Sequence, residues 1–463
     1  MMTLKKIMSW LDSGDLYGDD ALSINRVNTD TRTLRSGDLF VALQGEHFDG
    51  NNFLHQAKLA GATAAIANRG LEAADLDGIQ VADTKHALGR IAAGWRSQFN
   101  LPLLAVTGSN GKTTVTQMLA SIMREYKGEA SLATTGNLNN DIGVPLTLLR
   151  LSSKHGIGVV ELGMNHPGEI AYLANLTKPT IALVNNAQRE HLEFMSTVHA
   201  VACENGAVLT ALPDDGIAIF PADDEHSEVW RKLAGNRRKL TFSMLGKASV
   251  YCIKADWLHG KWRVVAKTPE ETIEYSLCIA GRHNVKNSLA AIACSLAADI
   301  PVTSIVQGLQ TFQPVNGRSK AYAIEWSNKE ITVVDDTYNA NPDSMRAAVD
   351  VLAELDGPRL LVLGDMGEVG EHGLQFHAEI GEYARVKTID KLFTIGHLAQ
   401  EAAKQFPSSR HFESMDALLE AVVPELNQVR SVLVKGSRFM KMEQVIQVVL
   451  KSAEATKEPI HVA

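Results

Sequence analysis

The apolar run at 101–106 breaks at Thr107-Gly108-Ser109-Asn110-Gly111-Lys112-Thr113-Thr114. Val115, Met118, Leu119, Ile122 and Met123 then recur on one face of a helix. A buried strand that feeds a helix through a glycine-rich turn belongs to a parallel sheet covered by helices, and few other folds accept it. Glycines let the backbone aim N–H groups at phosphate oxygens, and the helix N-terminus adds a favourable dipole. Gly108, Asn110, Gly111, Lys112, Thr113 and Thr114 are therefore the expected phosphate cradle. Lys112 would reach the β- and γ-phosphates, and Thr113 would offer its hydroxyl to Mg²⁺. The pattern is a variant of the usual phosphate loop, because Val106 stands where a glycine is common.

At 463 residues the chain exceeds one core, and a prior of roughly 150 residues per domain gives three. Boundaries are expected at 1–82, 83–313 and 314–463. In the first unit, 38–43 and 63–67 read as strands with a helix over 52–60 between them; a helix over 84–97 leads onward. In the second, 156–160 and 180–184 read as buried parallel strands, and the tryptophan-bearing stretch 250–265 as antiparallel. A helix over 284–298 closes that unit, with Val285, Leu289, Ile292 and Leu296 on one face. Strands at 331–334, 360–363, 392–395 and 431–434 alternate with helices in the third, whose first helix has Asn341 as cap and Pro342 in its first turn. The fold class is α/β: a small first domain, a central parallel-sheet domain of phosphate-loop type and a Rossmann-like third domain.

A formal net charge of −8, with no Lys/Arg run, argues against nucleic acid as the main partner. Four cysteines without a CxxC pair suit free thiols in a reducing compartment. The N-terminus reads as a short amphipathic helix, and no window approaches the ~20 apolar residues of a membrane span, so a cytoplasmic chain without membrane insertion is expected. Nothing such as a heptad seam demands an oligomer, and a monomer is expected.

Two further residues sit where open α/β sheets bind ligands. Glu161 ends the strand at 156–160, a position suited to hold Mg²⁺. His191 follows the next strand, in Asn185-Asn186-Ala187-Gln188-Arg189-Glu190-His191.

These stations, in this order, resemble the Mur ligase family. The likeness extends through Thr135-Gly136-Asn137, through Gly281-Arg282-His283-Asn284-Val285-Lys286-Asn287, and through Gly317-Arg318 and Asp335-Asp336-Thr337-Tyr338-Asn339-Ala340-Asn341-Pro342. Near the N-terminus, Asp30-Thr31-Arg32 and Asp49-Gly50 resemble the uridine-binding domain of the tripeptide- and dipeptide-adding members. Leu363-Gly364-Asp365-Met366-Gly367-Glu368 and Val434-Lys435-Gly436-Ser437-Arg438 resemble the members that add D-alanyl-D-alanine, and the DNPR-type motif of the diamino-acid-adding members is missing.

The resemblance implies ATP and Mg²⁺ as cofactors and a UDP-linked muramoyl tripeptide and D-alanyl-D-alanine as substrates. It casts Lys112, Glu161 and His191 as catalytic, with Thr113, Glu161 and His191 on metal. Asn284, Asn287, Arg318 and Asp336 join the phosphate loop in binding nucleotide. Asp30, Thr31, Arg32, Asp49, Thr135 and Asn137 fall to the UDP-substrate. One position departs from the family: 14 residues beyond the metal-binding histidine, where a carbamylated lysine often helps hold a second magnesium, this chain has Asn205. That ion is then expected to be held without a carbamate, with Glu204 or water in its place.

Overall fold

Leu103–Thr107 is buried at every position, as a strand with helices on both faces must be. It lies inside a nine-stranded sheet of the computed structural model, which describes residues 2–258 and 260–455. In spatial order the sheet runs Ser131–Ala133, Ile157–Glu161, Leu103–Thr107, Ile181–Val184, Ile217–Pro221, Arg238–Ser243, Val250–Leu258, Lys261–Lys267 and Thr272–Leu277. Pairing is parallel as far as Val250–Leu258; the last two strands return antiparallel, as expected for the tryptophan-bearing stretch. From Leu103–Thr107 the chain runs to Ser131–Ala133, returns to Ile157–Glu161 on the same side, and then crosses to Ile181–Val184 on the other side. The carboxyl end of this strand is therefore a topological switch point, where a ligand crevice opens. Helix Lys112–Lys127 buries Val115, Met118, Leu119, Ile122 and Met123 in a core shared with helix Arg282–Ala297.

The N-terminal unit is a five-stranded sheet whose central strands are Asp38–Val41 and Ala62–Ala67. The helix expected over 52–60 is shorter: Asp49 caps a 3-10 turn at Gly50–Phe53, and the α-helix proper is Leu54–Leu59. Helix Thr84–Arg96 starts at Asp83, whose carboxylate accepts from the Lys85 and His86 amides at 2.9 Å each. It serves two cores. Ala87, Leu88 and Ile91 pack into the N-terminal unit, and Ala92 packs into the central one. Its last residue, Arg96, is buried and donates to the carbonyls of Thr177, Phe99 and Lys178.

The third unit has strand order Lys320–Trp326, Lys329–Asp336, Ser431–Lys435, Arg359–Leu363, Lys391–Ile395 and Ser409–Phe412. The wholly parallel sheet expected from its sequence is corrected at one edge. Lys320–Trp326 pairs antiparallel with Lys329–Asp336 through a tight turn in which Ser327 and Asn328 both take positive φ, 48° and 61°. Helix Pro342–Ala353 begins as expected: Asn341 accepts from the Ser344 amide at 2.8 Å and Ser344 Oγ accepts from the Asn341 amide at 2.9 Å.

Candidate active site

A cleft of about 910 Å³ runs from the start of helix Thr84–Arg96, across the glycine-rich loop, to the third unit. The loop is held open by backbone that side chains rarely adopt. Gly111 has φ +82°, and a Cβ there would come within 2.5 Å of Asn287 Oδ1 and 2.7 Å of Asn185 Nδ2. Those two amides belong to a buried chain of hydrogen bonds. Asn287 Nδ2 donates to Asn284 Oδ1 at 2.9 Å, Asn185 Nδ2 to Asn287 Oδ1 at 2.9 Å, and Asn185 Nδ2 also to the Asn110 carbonyl at 2.8 Å. The last helix of the central unit thereby fixes the loop. The neighbouring His283 Nε2 lies 3.0 Å from Asn284 Nδ2, within hydrogen-bond range.

Lys112 folds back in this state and donates to the carbonyls of Gly108 (2.5 Å) and Ser109 (3.1 Å), with Glu190 Oε2 3.5 Å away. Thr113 Oγ1 donates to Glu161 Oε1 at 3.1 Å, and Asn139 Nδ2 donates to the same oxygen at 2.8 Å. The other carboxylate oxygen, Glu161 Oε2, is buried and has no hydrogen-bond partner within the protein. A bare anionic oxygen beside a hydroxyl, at the mouth of a phosphate loop, fits a hard divalent cation. Among the described residues no group of three or more His, Cys, Asp or Glu could hold a metal alone. Mg²⁺ commonly takes one or two carboxylates and draws its remaining ligands from substrate phosphates and water.

His191 sits at φ +47° and lines the cleft. Its Nδ1 lies 2.7 Å from Glu368 Oε2 of the third unit, and that contact holds the Glu368 carboxyl below its usual range. Three more contacts close the cleft between the same two units. Arg189 donates to Asp343 (2.8 Å) and Glu379 (3.1 Å). Asn341 Nδ2 donates to Asn110 Oδ1 at 3.0 Å. Arg318 stacks 3.9 Å over the Tyr338 ring and reaches Thr113 Oγ1 at 3.4 Å. Asp336 accepts from Lys435 Nζ at 2.7 Å and from the Ser319 amide at 3.0 Å.

Of the residues singled out in the sequence, Asn110, Gly111, Lys112, Thr113, Thr114 and Glu161 line one wall of the cleft. His191, Asn284, Asn287, Arg318, Asp336 and Asn137 also line it, and Gly108 lies behind the loop with Asn185 against it. Asp30, Thr31, Arg32, Asp49 and Thr135 do not. Asp30 pairs with Arg32 at 2.7 Å, which pulls its carboxyl to about 2; Asp49 is occupied by Asn51 and Arg69; the Thr135 hydroxyl accepts from Arg150 at 3.3 Å. Glu204 does not line the cleft; its two oxygens accept from the Gly168 and Ile170 amides at 2.9 Å each, capping helix Glu169–Thr177. Glu190, Glu368 and the cross-cleft partners of Arg189 were not found by sequence reasoning.

Known families match along the chain in the same order. The Mur ligase family catalytic domain matches residues 23–96, the Mur ligase middle domain 106–295, and the Mur ligase glutamate ligase domain 323–438. The UDP-N-acetylmuramoyl-tripeptide--D-alanyl-D-alanine ligase of Escherichia coli K12 is 40% identical over 451 residues, covering 96% of this chain and 98% of its own. The chain belongs to the Mur ligase family. The ligase of the same name from Haemophilus influenzae is 38% identical over 440 residues, covering 93% of this Mur ligase and 94% of its own length. A crystal structure of MurF from Acinetobacter baumannii superposes with a TM-score of 0.89 at 33% identity, covering 97% of this chain and 98% of that one. The Mur ligase architecture of three α/β units is thus shared from end to end. No helix among the described residues is long and apolar enough to cross a membrane.

Proposed function

We propose that this Mur ligase joins D-alanyl-D-alanine to UDP-N-acetylmuramoyl-tripeptide at the expense of ATP, giving the UDP-linked pentapeptide, ADP and phosphate. The observation that carries the reading is the 40% identity to a ligase of that name over 96% of this chain and 98% of the relative. The reaction belongs to peptidoglycan precursor synthesis and so to cell-wall biogenesis, cell shape and division. We assign it to a cytoplasmic monomer, with units bounded near 82/83 and 313/314.

Joining a carboxylate to an amine in water is uphill, so the carboxylate first needs a better leaving group. A tripeptide carboxylate oxygen attacks the γ-phosphorus of ATP, ADP departs, and an acyl phosphate remains. The dipeptide amine then attacks the acyl carbon, the amine loses a proton, and phosphate leaves from the tetrahedral intermediate. The chain's own task is positioning and charge neutralisation. Lys112 swings from the Gly108 and Ser109 carbonyls to the β- and γ-phosphates. The Gly108–Thr114 backbone cradles the phosphates, and Thr113 and Glu161 would hold Mg²⁺ there, with His191 toward a second ion. Bound magnesium offsets the charge that builds on the phosphate oxygens. Asn284, Asn287, Arg318 and Asp336 bind the nucleotide from the central and third units. Asp30, Thr31, Arg32, Asp49, Thr135 and Asn137 remain the proposed contacts to the UDP-substrate.

Because Arg318 and Asp336 lie across the cleft from Lys112, ATP use depends on closure of the third unit. Arg318→Ala removes the reach to Thr113 and the stack on Tyr338. We expect kcat to fall by about 10²-fold with little change in binding of the UDP-substrate, in steady-state assays of ADP release. Unchanged kcat would remove Arg318 from the nucleotide site. The function itself is tested by ADP release with UDP-muramoyl-tripeptide, ATP and Mg²⁺, with and without D-alanyl-D-alanine. Turnover that requires both substrates supports the assignment. Turnover with a free diamino acid and the UDP-dipeptide, or hydrolysis independent of any amine, would overturn it.

A further inference from the structure

One acid faces the phosphate loop without a role in the scheme above. Glu190 is 6% exposed and lines the cleft; its Oε2 lies 3.5 Å from Lys112 Nζ and 3.9 Å from His191 Nε2. Its other oxygen, Oε1, is buried and has no hydrogen-bond partner within the protein. A buried carboxylate left short of partners is costly, and a triphosphate arriving beside it adds like charge. Lys112 cannot offset both, since its ammonium must move to the phosphates. A second cation would remove the conflict.

The neighbouring histidine is set for that cation. Its ring presents Nε2 to Glu190 Oε2 at 3.9 Å, while Nδ1 lies 2.7 Å from Glu368 Oε2, close enough for charge to act but without hydrogen-bond geometry. The 3.9 Å between Nε2 and Oε2 is a span that one ion can bridge at about 2.1 Å from each. The other candidates are spent. Asn205 is fully buried away from the cleft, its Oδ1 accepting from the Thr107 hydroxyl at 2.6 Å, and Glu204 caps a helix.

We infer that Glu190 supplies, together with His191 Nε2, the anionic oxygen ligand of a second divalent cation, in the role that a carbamylated lysine fills where the family has one. The inference rests on the ATP-and-magnesium reading. The test is titration of Mn²⁺ into the full-length chain carrying a non-hydrolysable ATP analogue, with free Mn²⁺ read by electron paramagnetic resonance. The wild-type chain should take up a first and a second ion. Glu190→Gln should keep the first at wild-type affinity and bind the second about tenfold or more weaker. Intact uptake of the first ion also shows that the variant folds. Should Glu190→Gln not fold, Glu190→Asp is read the same way, by a weakened second ion beside an unchanged first.

Equal affinities for both ions in wild type and variant would overturn the role of Glu190 alone and leave it a counter-ion of Lys112. Loss of the second ion from wild type on stripping bicarbonate would also overturn it, because a carbamate would then be the ligand. Failure of the wild-type chain with the analogue to take up any Mn²⁺ would overturn the underlying reading instead.

Discussion

Lys112→Ala should lower kcat/KM for ATP by about 10³-fold or more, measured as ADP release under saturating UDP-substrate and dipeptide. Two losses combine. The ammonium that follows charge onto the γ-phosphate is gone, and no other lysine or arginine of the phosphate loop can replace it. The substitution also strips Glu190 of the cation 3.5 Å from it, leaving a buried acid to face the incoming phosphates. Nucleotide binding should therefore weaken along with turnover. Turnover of Lys112→Ala within tenfold of wild type would take the lysine out of the chemistry.

Gly111→Ala is expected to be nearly as damaging, although it adds a single methyl group. The backbone at φ +82° carries a strain of about 1–3 kcal/mol for a non-glycine residue. The new Cβ would also press on Asn287 Oδ1 and Asn185 Nδ2, the two amides that tie the loop to helix Arg282–Ala297. Displacing those amides shifts Lys112, the next residue, by a fraction of its reach, and a misplacement near 1 Å costs on the order of 10² in rate. Isothermal titration with ADP should show affinity reduced by about 10²-fold, with circular dichroism close to wild type. Wild-type ADP affinity would mean that the loop has more room than its packing indicates.

What the sequence revealed followed how local each signal was. The glycine-rich loop, Glu161 at a strand end and the Asn341 cap each depend on residues within one or two turns of chain, and composition exposes them directly. The contacts that close the cleft do not. Arg189 and Asp343 stand 154 positions apart, and nothing near either marks the other as its partner. Glu190 was legible only as one letter in a loop; its burial against Lys112 and His191 depends on two strands meeting at the switch point. The Lys320–Trp326 hairpin escaped because Ser327-Asn328 lacks the glycine that usually announces such a turn. Glu204 was read by proximity to Asn205, whereas its geometry is set by the start of the helix at 169–177, more than thirty residues earlier in the chain.

Helix Thr84–Arg96 has a consequence for how members of this family can be recombined. One face completes the N-terminal core through Ala87, Leu88 and Ile91, while Ala92 and Arg96 are built into the central unit. The junction to the third unit combines charged and amide pairs, such as Arg189 with Asp343 and Asn341 with Asn110, with apolar packing of Ala280 and Trp257 against the third unit's core. A chimera that exchanged the substrate end at residue 83 would pair one parent's sheet with the other's helix and leave mismatched apolar surfaces on both. A graft carried through residue 96 would move the seam instead of removing it. The first two units should therefore tolerate exchange only as a pair.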